Sequence, residues 1–261
     1  MVRVVLLLVA AICTLTFAGL GQSPPDRKAE PRPTNSSAIV LDRAGQRAYV
    51  VNPDSDSISI LDVATHKKLK EVAAGRDPRT LAIDARGEKL LVANLRDDTV
   101  SILALGDLSA LATLRVPHEP YGVACSPAAD LAFVASSGAC VISFIDTTTL
   151  KIVTRLEVPP YPRGLAVSAD GRRLVVTHFL TGQVSVVDIA QRKLLTTIAT
   201  GADSNMAQHI VIHPDGARAY LPHIRSHVTT PTMLFDTTVF PVVSVIDLAG
   251  QQHLRKERIG L

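Results

Sequence analysis

The chain contains no tryptophan, and aromatic residues make up only 4% of its 261 residues. Surfaces that stack nucleic-acid bases or sugar rings need exposed aromatic rings, so this scarcity argues against both kinds of binding surface. Charge of one sign is scarce too, because 27 basic and 24 acidic residues leave a formal net charge of +3 without a long basic run. We therefore expect no nucleic-acid partner.

Cysteine is also rare, and the three cysteines form no Cys-x-x-Cys-His motif. The chain therefore cannot attach haem covalently by itself, and we predict no cofactor within it. Cys125 and Cys140 fall two strands apart in the repeat described below. Neighbouring strands are about 4.8 Å apart, and disulfide-bonded Cα atoms lie within about 7 Å. We expect two unpaired, largely buried thiols.

The N-terminus resembles an export signal. Arg3 precedes an apolar run over residues 4–20, and small residues follow it, so we predict a signal peptide at 1–21. The alternative is an uncleaved membrane anchor, but the run is shorter than the roughly 20 residues of a spanning helix. Residues 22–37 contain four prolines and predict a solvated linker. We expect an exported protein, periplasmic or at the cell surface, without a membrane span after cleavage.

An internal repeat organises the remaining chain. Its marker is an aliphatic run that ends in a polar residue, found at 48–52, 90–94, 132–136, 174–178 and 219–223 (AYVVN, LLVAN, AFVAS, LVVTH, AYLPH). The last positions of these runs are 42, 42, 42 and 45 residues apart. A second repeated position carries serine at 59, 101, 143, 185 and 244. The fifth copy therefore contains two insertions, one of them fourteen residues long after His223.

Each copy predicts four short strands separated by Gly-, Asp-, Asn- or Pro-containing turns. The predicted copies span 38–75, 76–117, 118–158, 159–201 and 202–261. Four-stranded units at this period indicate the blades of an all-β propeller. A β-sandwich is the alternative all-β fold, but a strict repeat is not expected there.

Three segments resemble a known family: residues 49–52 (YVVN), the Pro214-Asp215-Gly216 turn and residues 243–247 (VSVID). They are similar to the YVTN-repeat β-propellers of bacterial exported and surface proteins. The resemblance implies a ring of seven blades, so five blades predict an incomplete part of such a ring. Residues 208–216, 222–223 and 235–247 also resemble the propeller part of exported proteins that continue into a di-haem, cytochrome c peroxidase-like domain. That resemblance implies haem in a longer parent protein.

We define the upper face of the predicted disc as the one that carries the loops entering each first strand and leaving each second strand. Function on propellers concentrates in such loops. Candidate residues for binding a protein or small molecule there are Arg79, Tyr121, Arg163, His178, His209, His223 and Arg225. Arg79 and Arg163 are predicted to lie at the channel rim, where they could bind an anion through bidentate contacts.

His178 and His223 replace asparagine at one repeat position, and His209 enters the same fifth copy. Neutral imidazoles at a rim are candidate metal ligands. The alternative is that each histidine substitutes for asparagine in a structural hydrogen bond. Residues that recur in most copies predict structure instead: Asn52 and Asn94 at that same position, and Asp62, Asp146, Asp188 and Asp247 as caps of the following turn.

Three classes of function remain. The first is a non-catalytic binding or scaffolding module. The second is the propeller portion of a periplasmic c-type haem redox protein whose haem domain lies beyond this chain. The third is an enzyme similar to propeller lactonases or quinone-dependent dehydrogenases. The chain shows no nucleophile elbow, no paired carboxylates on the upper face and no Gly-rich phosphate loop, so no catalytic residue is predicted.

Overall fold

The computed structural model describes residues 32–226 and 239–260. The predicted signal peptide, most of the predicted linker and the centre of the fourteen-residue insertion lie outside the described residues. The described residues form β-strands in five antiparallel sheets and two short 3-10 turns, which confirms the all-β class. Within them, no helix is long and apolar enough to cross a membrane.

The first four copies of the repeat each form one four-stranded blade. A two-residue strand, β1 (Thr34–Asn35), precedes them. Blade 1 contains β2 (Ile39–Leu41), β3 (Arg47–Asn52), a 3-10 turn (Pro53–Ser55), β4 (Ser57–Asp62) and β5 (Lys68–Ala73). Blade 2 contains β6 (Pro78–Ile83), β7 (Lys89–Asn94), β8 (Thr99–Ala104) and β9 (Ala110–Arg115). Blade 3 contains β10 (Pro120–Cys125), β11 (Leu131–Ser136), β12 (Val141–Asp146) and β13 (Lys151–Glu157). Blade 4 contains β14 (Pro162–Val167), β15 (Arg173–His178), β16 (Gln183–Asp188) and β17 (Lys193–Ala199).

The fifth blade departs from this pattern where the sequence carries its insertions. Its strands are β18 (Ser204–Asn205), β19 (Val211–Ile212), β20 (Arg218–Ser226), β21 (Val239–Asp247), β22 (Gln252–His253) and β23 (Ile259–Gly260), with a 3-10 turn at Arg255–Glu257. The inner strand is split into β18 and β19, which both pair with β20. The outer strand is likewise split into β22 and β23, which both pair with β21.

Aspartates fix the turn that follows each third strand, as the sequence predicts. The Asp62 carboxylate accepts a hydrogen bond from Thr65 N at 2.7 Å, and the carboxylates of Asp146, Asp188 and Asp247 accept equivalent backbone hydrogen bonds. The hairpin between the first and second strands uses glycine instead, with a positive φ of 67–72° at the equivalent turn position in blades 1, 2, 4 and 5. Residues other than glycine and asparagine rarely adopt this conformation without strain.

The hydrophobic core lies between blades. Successive residues of a strand point to opposite faces of its sheet, so in β7 Leu90 packs toward blade 1 while Leu91 packs toward blade 3. The described residues contain four buried clusters, one between each pair of consecutive blades. In the third, Phe133 and Phe144 meet edge to face with centroids 5.1 Å apart. These blades form part of a propeller, stacked in chain order.

The end of the predicted linker is not solvated, which corrects the sequence expectation for residues 34–37. Strand β1 pairs antiparallel with β14, the innermost strand of blade 4. Ser36 is 2% exposed, and its Oγ accepts a hydrogen bond from Leu165 N at 2.9 Å. Leu81 N in blade 2 donates to Ser37 O at 2.8 Å. Unpaired backbone groups of the inner strands stabilise this segment there, although its composition is polar.

The inner strands of consecutive blades approach closely near their first residues. A Cβ atom placed on Gly122 in β10 would lie 1.9 Å from the carbonyl oxygen of Arg163 in β14. In blade 2 the equivalent residue is Thr80, whose Oγ1 donates to Tyr121 O at 2.7 Å. Position 122 therefore requires glycine for reasons of space, and its backbone fixes the inner edge of blades 3 and 4.

We expect Gly122→Ala to destabilise the protein by about 1–3 kcal/mol or more, because the added methyl group overlaps a backbone atom that is held in place by the sheet. Urea unfolding followed by circular dichroism measures the change. Gly106→Ala is the matched control, since nothing lies within 4 Å of a Cβ at that glycine. Equal stability of the two variants would contradict the close approach.

Candidate functional site

Two of the histidines that interrupt the repeat, His178 and His223, are buried and hydrogen-bonded within their blades. His178 is 0% exposed. Its Nδ1 lies 3.0 Å from Pro160 O and its Nε2 lies 2.8 Å from Ser185 Oγ. A carbonyl oxygen can only accept, so Nδ1 carries the proton and Nε2 accepts from the serine hydroxyl. Burial lowers the pKa of His178 to about 4, so the ring is neutral at neutral pH.

The same hydrogen bond recurs where the repeat has asparagine. The Nδ2 atom of Asn94 donates to Ser101 Oγ at 2.9 Å, and Asn52 bonds to the equivalent serine of blade 1. His223 Nε2 lies 2.8 Å from the oxygen of the repeated serine in blade 5. The structure thus gives His178 and His223 the geometry of the structural alternative. His209 is exposed.

The described residues contain no group of three or more His, Cys, Asp or Glu side chains placed to hold a metal ion. The structure therefore does not bring the three candidate metal ligands together. The thiols of Cys125 and Cys140 are both unpaired. Burial, together with the nearby Asp84 carboxylate, raises the pKa of the Cys125 thiol, so this thiol is a poor nucleophile.

A repeated β-bulge turns side chains toward the upper face. The pairing register of the inner strands shifts between Pro78 and Thr80, between Pro120 and Gly122, and between Pro162 and Leu165. Each shift leaves the residue after the proline out of register, namely Arg79, Tyr121 and Arg163, and in blade 4 Gly164 is out of register as well. A bulge re-aims a side chain relative to the sheet. Three of the predicted binding residues thus lie in the same β-bulge, which recurs in blades 2, 3 and 4.

These side chains converge with two further residues into what we call the arginine–tyrosine cluster: Arg79, Tyr121, Arg163, Phe179 and Gln208. The guanidinium carbon of Arg163 lies 4.6 Å from the centroid of Tyr121 and 3.6 Å from that of Phe179. The guanidinium carbon of Arg79 lies 6.0 Å from the centroid of Tyr121. Tyr121 Oη donates to Gln208 Oε1 at 3.0 Å, which fixes the ring between blades 3 and 5.

The two arginines of the cluster differ in their electrostatic environment. Arg79 Nη2 lies 2.8 Å from Asp77 Oδ2, and Arg96 contacts the same carboxylate at 3.4 Å. In the part of the chain that the structure describes, Arg163 forms no ion pair, and its buried Nε has no hydrogen-bond partner. Burial lowers the pKa of Arg163, and the nearby positive charge of Arg79 adds to this effect. The Arg163 guanidinium still remains charged at neutral pH, because guanidinium groups stay protonated in proteins.

Sequence reasoning finds Arg79, Tyr121 and Arg163 but misses Asp77 and Phe179. The positions equivalent to Phe179 directly follow the marker run, and they carry proline, leucine, serine and isoleucine in the other copies. An aromatic residue there, in a chain with so few aromatics, is the signal that was available. Arg225, the seventh candidate, lies outside the cluster and pairs with Asp203, its Nε 2.6 Å from Oδ2.

The family described as "Lactonase, 7-bladed beta-propeller" matches residues 11–125, less than half of the chain. Among solved structures, the chain is similar to hydrazine synthase of Kuenenia stuttgartiensis, with a TM-score of 0.78 and 24% identity over 92% of this chain and 69% of that chain. No curated protein matches the chain significantly.

Two further solved structures are similar to the chain. The first is the dihydro-haem d1 dehydrogenase NirN in complex with DHE, with a TM-score of 0.65 and 16% identity over 94% of this chain and 57% of that chain. The second is the WD40 repeats of RRP9, with a TM-score of 0.66 and 15% identity over 84% of this chain and 62% of that chain. At these identities the likeness shows the propeller fold, as predicted.

Because His178 is buried in its neutral form, the free energy of unfolding depends on pH. We expect the contribution of His178, about 3 kcal/mol, to be complete above pH 6.5 and to be lost as the pH falls toward 4, because the unfolded chain takes up a proton that the folded ring resists. The variant His178→Asn carries the residue that blade 2 has at this position, Asn94. It should lose less stability than wild type as the pH falls. Urea unfolding between pH 7 and pH 4 measures both slopes.

His66→Asn is the control, since that ring is exposed in a turn. The control should keep the wild-type pH slope, and part of that slope should also survive in His178→Asn, because burial lowers the pKa of His253 to about 4 as well. A His178→Asn slope identical to that of wild type would show that His178 titrates normally.

Proposed function

We propose that the chain is a non-catalytic binding module of the YVTN-repeat type, exported to the periplasm or cell surface, which binds a carboxylate of a small molecule or protein partner at the arginine–tyrosine cluster. One observation carries the proposal: the Arg163 guanidinium is half-buried between two rings and forms no ion pair with any described residue. A charge removed from water without a partner is costly, and a bound anion would offset that cost.

The geometry favours a carboxylate. The ring contacts engage the flat face of the guanidinium, and the N–H donors radiate in its plane. A planar carboxylate can therefore accept two parallel hydrogen bonds from the edge while the face stays stacked. Tyr121 cannot swing away without losing its hydrogen bond to Gln208. The arginine is thus held in one orientation before a ligand arrives.

Arg79 has a different role in this proposal. Its charge is balanced by Asp77, a buried carboxylate that also contacts Arg96. Like Arg163, Arg79 lies near the Tyr121 ring. We assign Arg79 to positioning that ring and to maintaining a positive potential at the rim. The charge available to a ligand is then that of Arg163, about one elementary charge.

The enzyme class is not favoured for this chain. The family matched over residues 11–125 includes lactonases by its description. The described residues of the upper face, however, place together arginines, rings and an amide rather than a set of metal ligands or a nucleophile with its base. An arginine–aromatic cluster binds and orients, so a binding module accounts for it more simply.

We expect sodium succinate to shift the Arg163 Nε–H resonance of arginine-labelled protein in a saturable way, while sodium chloride at equal ionic strength leaves it in place. Arg163→Gln should weaken succinate binding, measured by calorimetry, by at least about tenfold, because a lost charged hydrogen-bond pair is worth about 1.5–3 kcal/mol. Arg163→Lys should recover little, since lysine lacks the bidentate fork.

Arg155→Gln is the matched control, because Arg155 is exposed on the outer strand β13. It should leave succinate affinity unchanged. Binding that is equally strong in Arg163→Gln and Arg155→Gln, or an Arg163 resonance that responds to chloride as it does to succinate, would refute the cluster as the binding site.

A second candidate is the propeller portion of a longer periplasmic redox protein with c-type haem beyond this chain. Its support is the likeness to a dehydrogenase solved in complex with DHE and to hydrazine synthase. The chain has no Cys-x-x-Cys-His, so any covalent haem would belong to another part of the parent protein.

For this candidate we expect the reading frame that continues past Leu261 to encode Cys-x-x-Cys-His, and the full-length protein to retain a haem absorption band after acid–acetone extraction. Extraction removes noncovalent haem, so retention identifies thioether attachment. A complete reading frame without the motif would eliminate the redox candidate and leave the binding module.

A further inference from the structure

A second positively charged site lies in the fifth blade. Asp203, Arg225, Arg255 and Arg258, which we call the arginine pocket, line a space of about 200 Å³ together with residues 200–202. Three arginines and one aspartate give the pocket a net charge of +2. Arg225 comes from the end of β20, and the other two arginines come from the 3-10 turn and the residue after it. The pocket shares no residue with the arginine–tyrosine cluster.

Asp203 does not neutralise the pocket. Its Oδ2 is engaged by Arg225, whose Nε lies 2.6 Å away. Arg258 Nη2 donates to Thr200 O at 2.8 Å, and its buried Nε has no hydrogen-bond partner among the described residues. Burial lowers the pKa of Arg258, and the positive charges of Arg225 and Arg255 lower it further. Among the described residues that line the pocket, three positive charges are thus held close to one carboxylate, that of Asp203.

Gly201, whose φ is +145°, lines the arginine pocket. A Cβ at this glycine would lie 2.9 Å from Asp203 Oδ1, 3.3 Å from Ser204 Oγ and 4.0 Å from Arg258 Nη2. A side chain at position 201 would therefore crowd the Asp203 carboxylate, so glycine keeps this wall of the pocket in place.

The positive potential extends to a neighbouring histidine. Both ring nitrogens of His253, on β22, are buried and have no hydrogen-bond partner in the part of the chain that the structure describes. Burial and the neighbouring charges of Arg258, Arg255 and His223, in that order, together lower the pKa of His253 to about 4. An anion in the arginine pocket would oppose the contribution of both arginines, so the pKa of His253 reports on occupation of the pocket.

We infer that the arginine pocket binds inorganic phosphate, with Arg255 and Arg258 pairing with its charge and Asp203 accepting a hydrogen bond from its P–OH group. The volume suffices for a tetrahedral oxyanion and several waters, since one water takes about 30 Å³. This site is independent of the binding function proposed for the arginine–tyrosine cluster.

Asp203 gives the pocket its selectivity. A carboxylate oxygen accepts more than one hydrogen bond but donates none when ionised. Phosphate carries at least one hydroxyl at neutral pH and can donate it to Asp203 Oδ1. Sulfate carries none, so it would face the same oxygen as a repulsive contact. The pocket should therefore prefer phosphate over sulfate although both ions have the same shape.

Calorimetric titration with inorganic phosphate at pH 7 and constant ionic strength tests the inference. We expect saturable binding at one site, at least tenfold weaker binding of sulfate, and at least tenfold weaker phosphate binding by Arg258→Gln. Arg255→Gln, which changes an exposed side chain, should weaken phosphate binding several-fold without disturbing the fold. Arg155→Gln and Arg163→Gln should bind phosphate as wild type does.

A second readout uses the ring of His253. Phosphate should raise its pKa from about 4 toward its ordinary value in wild type, followed by NMR of the imidazole protons, and should leave it unmoved in Arg258→Gln. Absence of saturable phosphate binding, equal affinity for sulfate, or undiminished phosphate binding in both Arg255→Gln and Arg258→Gln would overturn the inference. Loss of phosphate binding in Arg163→Gln alone would place the anion at the other site.

Discussion

Burial of both faces of each sheet is the constraint on which this structure depends. A four-stranded sheet of aliphatic residues is stable in water only if each face packs on another sheet. Because adjacent residues of β7 enter different cores, Leu90 on one side and Leu91 on the other, no blade is stable without its neighbours. Each blade therefore stacks on the next in chain order, and the inner strands come so close that position 122 accepts only glycine. The rigid inner edge that results positions the side chains of the arginine–tyrosine cluster.

The repeat made the fold readable from the sequence, and the same repeat explains why the histidines were ambiguous. Asparagine and histidine are interchangeable at the end of the second strand because both reach the repeated serine, as Asn94 reaches Ser101 and His178 reaches Ser185. Only the structure shows that the ring is fully enclosed. The linker was misjudged at residues 34–37 for a related reason. Its composition is polar, and the partners that stabilise it are backbone groups of β14, more than a hundred residues away.

The candidate binding residues were predictable in position but not in arrangement. The residue after each inner-strand proline repeats at the same step as the blades, so Arg79, Tyr121 and Arg163 could be assigned to one face. The bulge that turns them out of the sheet carries no residue signature beyond that proline. Phe179 and the pairing of Arg79 with Asp77 depend on contacts between different blades. The arginine pocket was harder to predict from the sequence, since only Arg225 among its residues interrupts the repeat in a recognisable way.

The strand β1 has a consequence for how the chain folds during synthesis. Contacts between consecutive blades are local in sequence, so blades can be added in the order in which they are made. The pairing of Ser36 with Leu165 joins residues 129 positions apart. It can form only after the first strand of blade 4 has been synthesised, whereas blades 1 to 3 are complete by then. The blades can thus form from the N-terminal end onward, whereas β1, the first described strand, takes its place late. Contacts between residues so far apart in sequence are also slow to form.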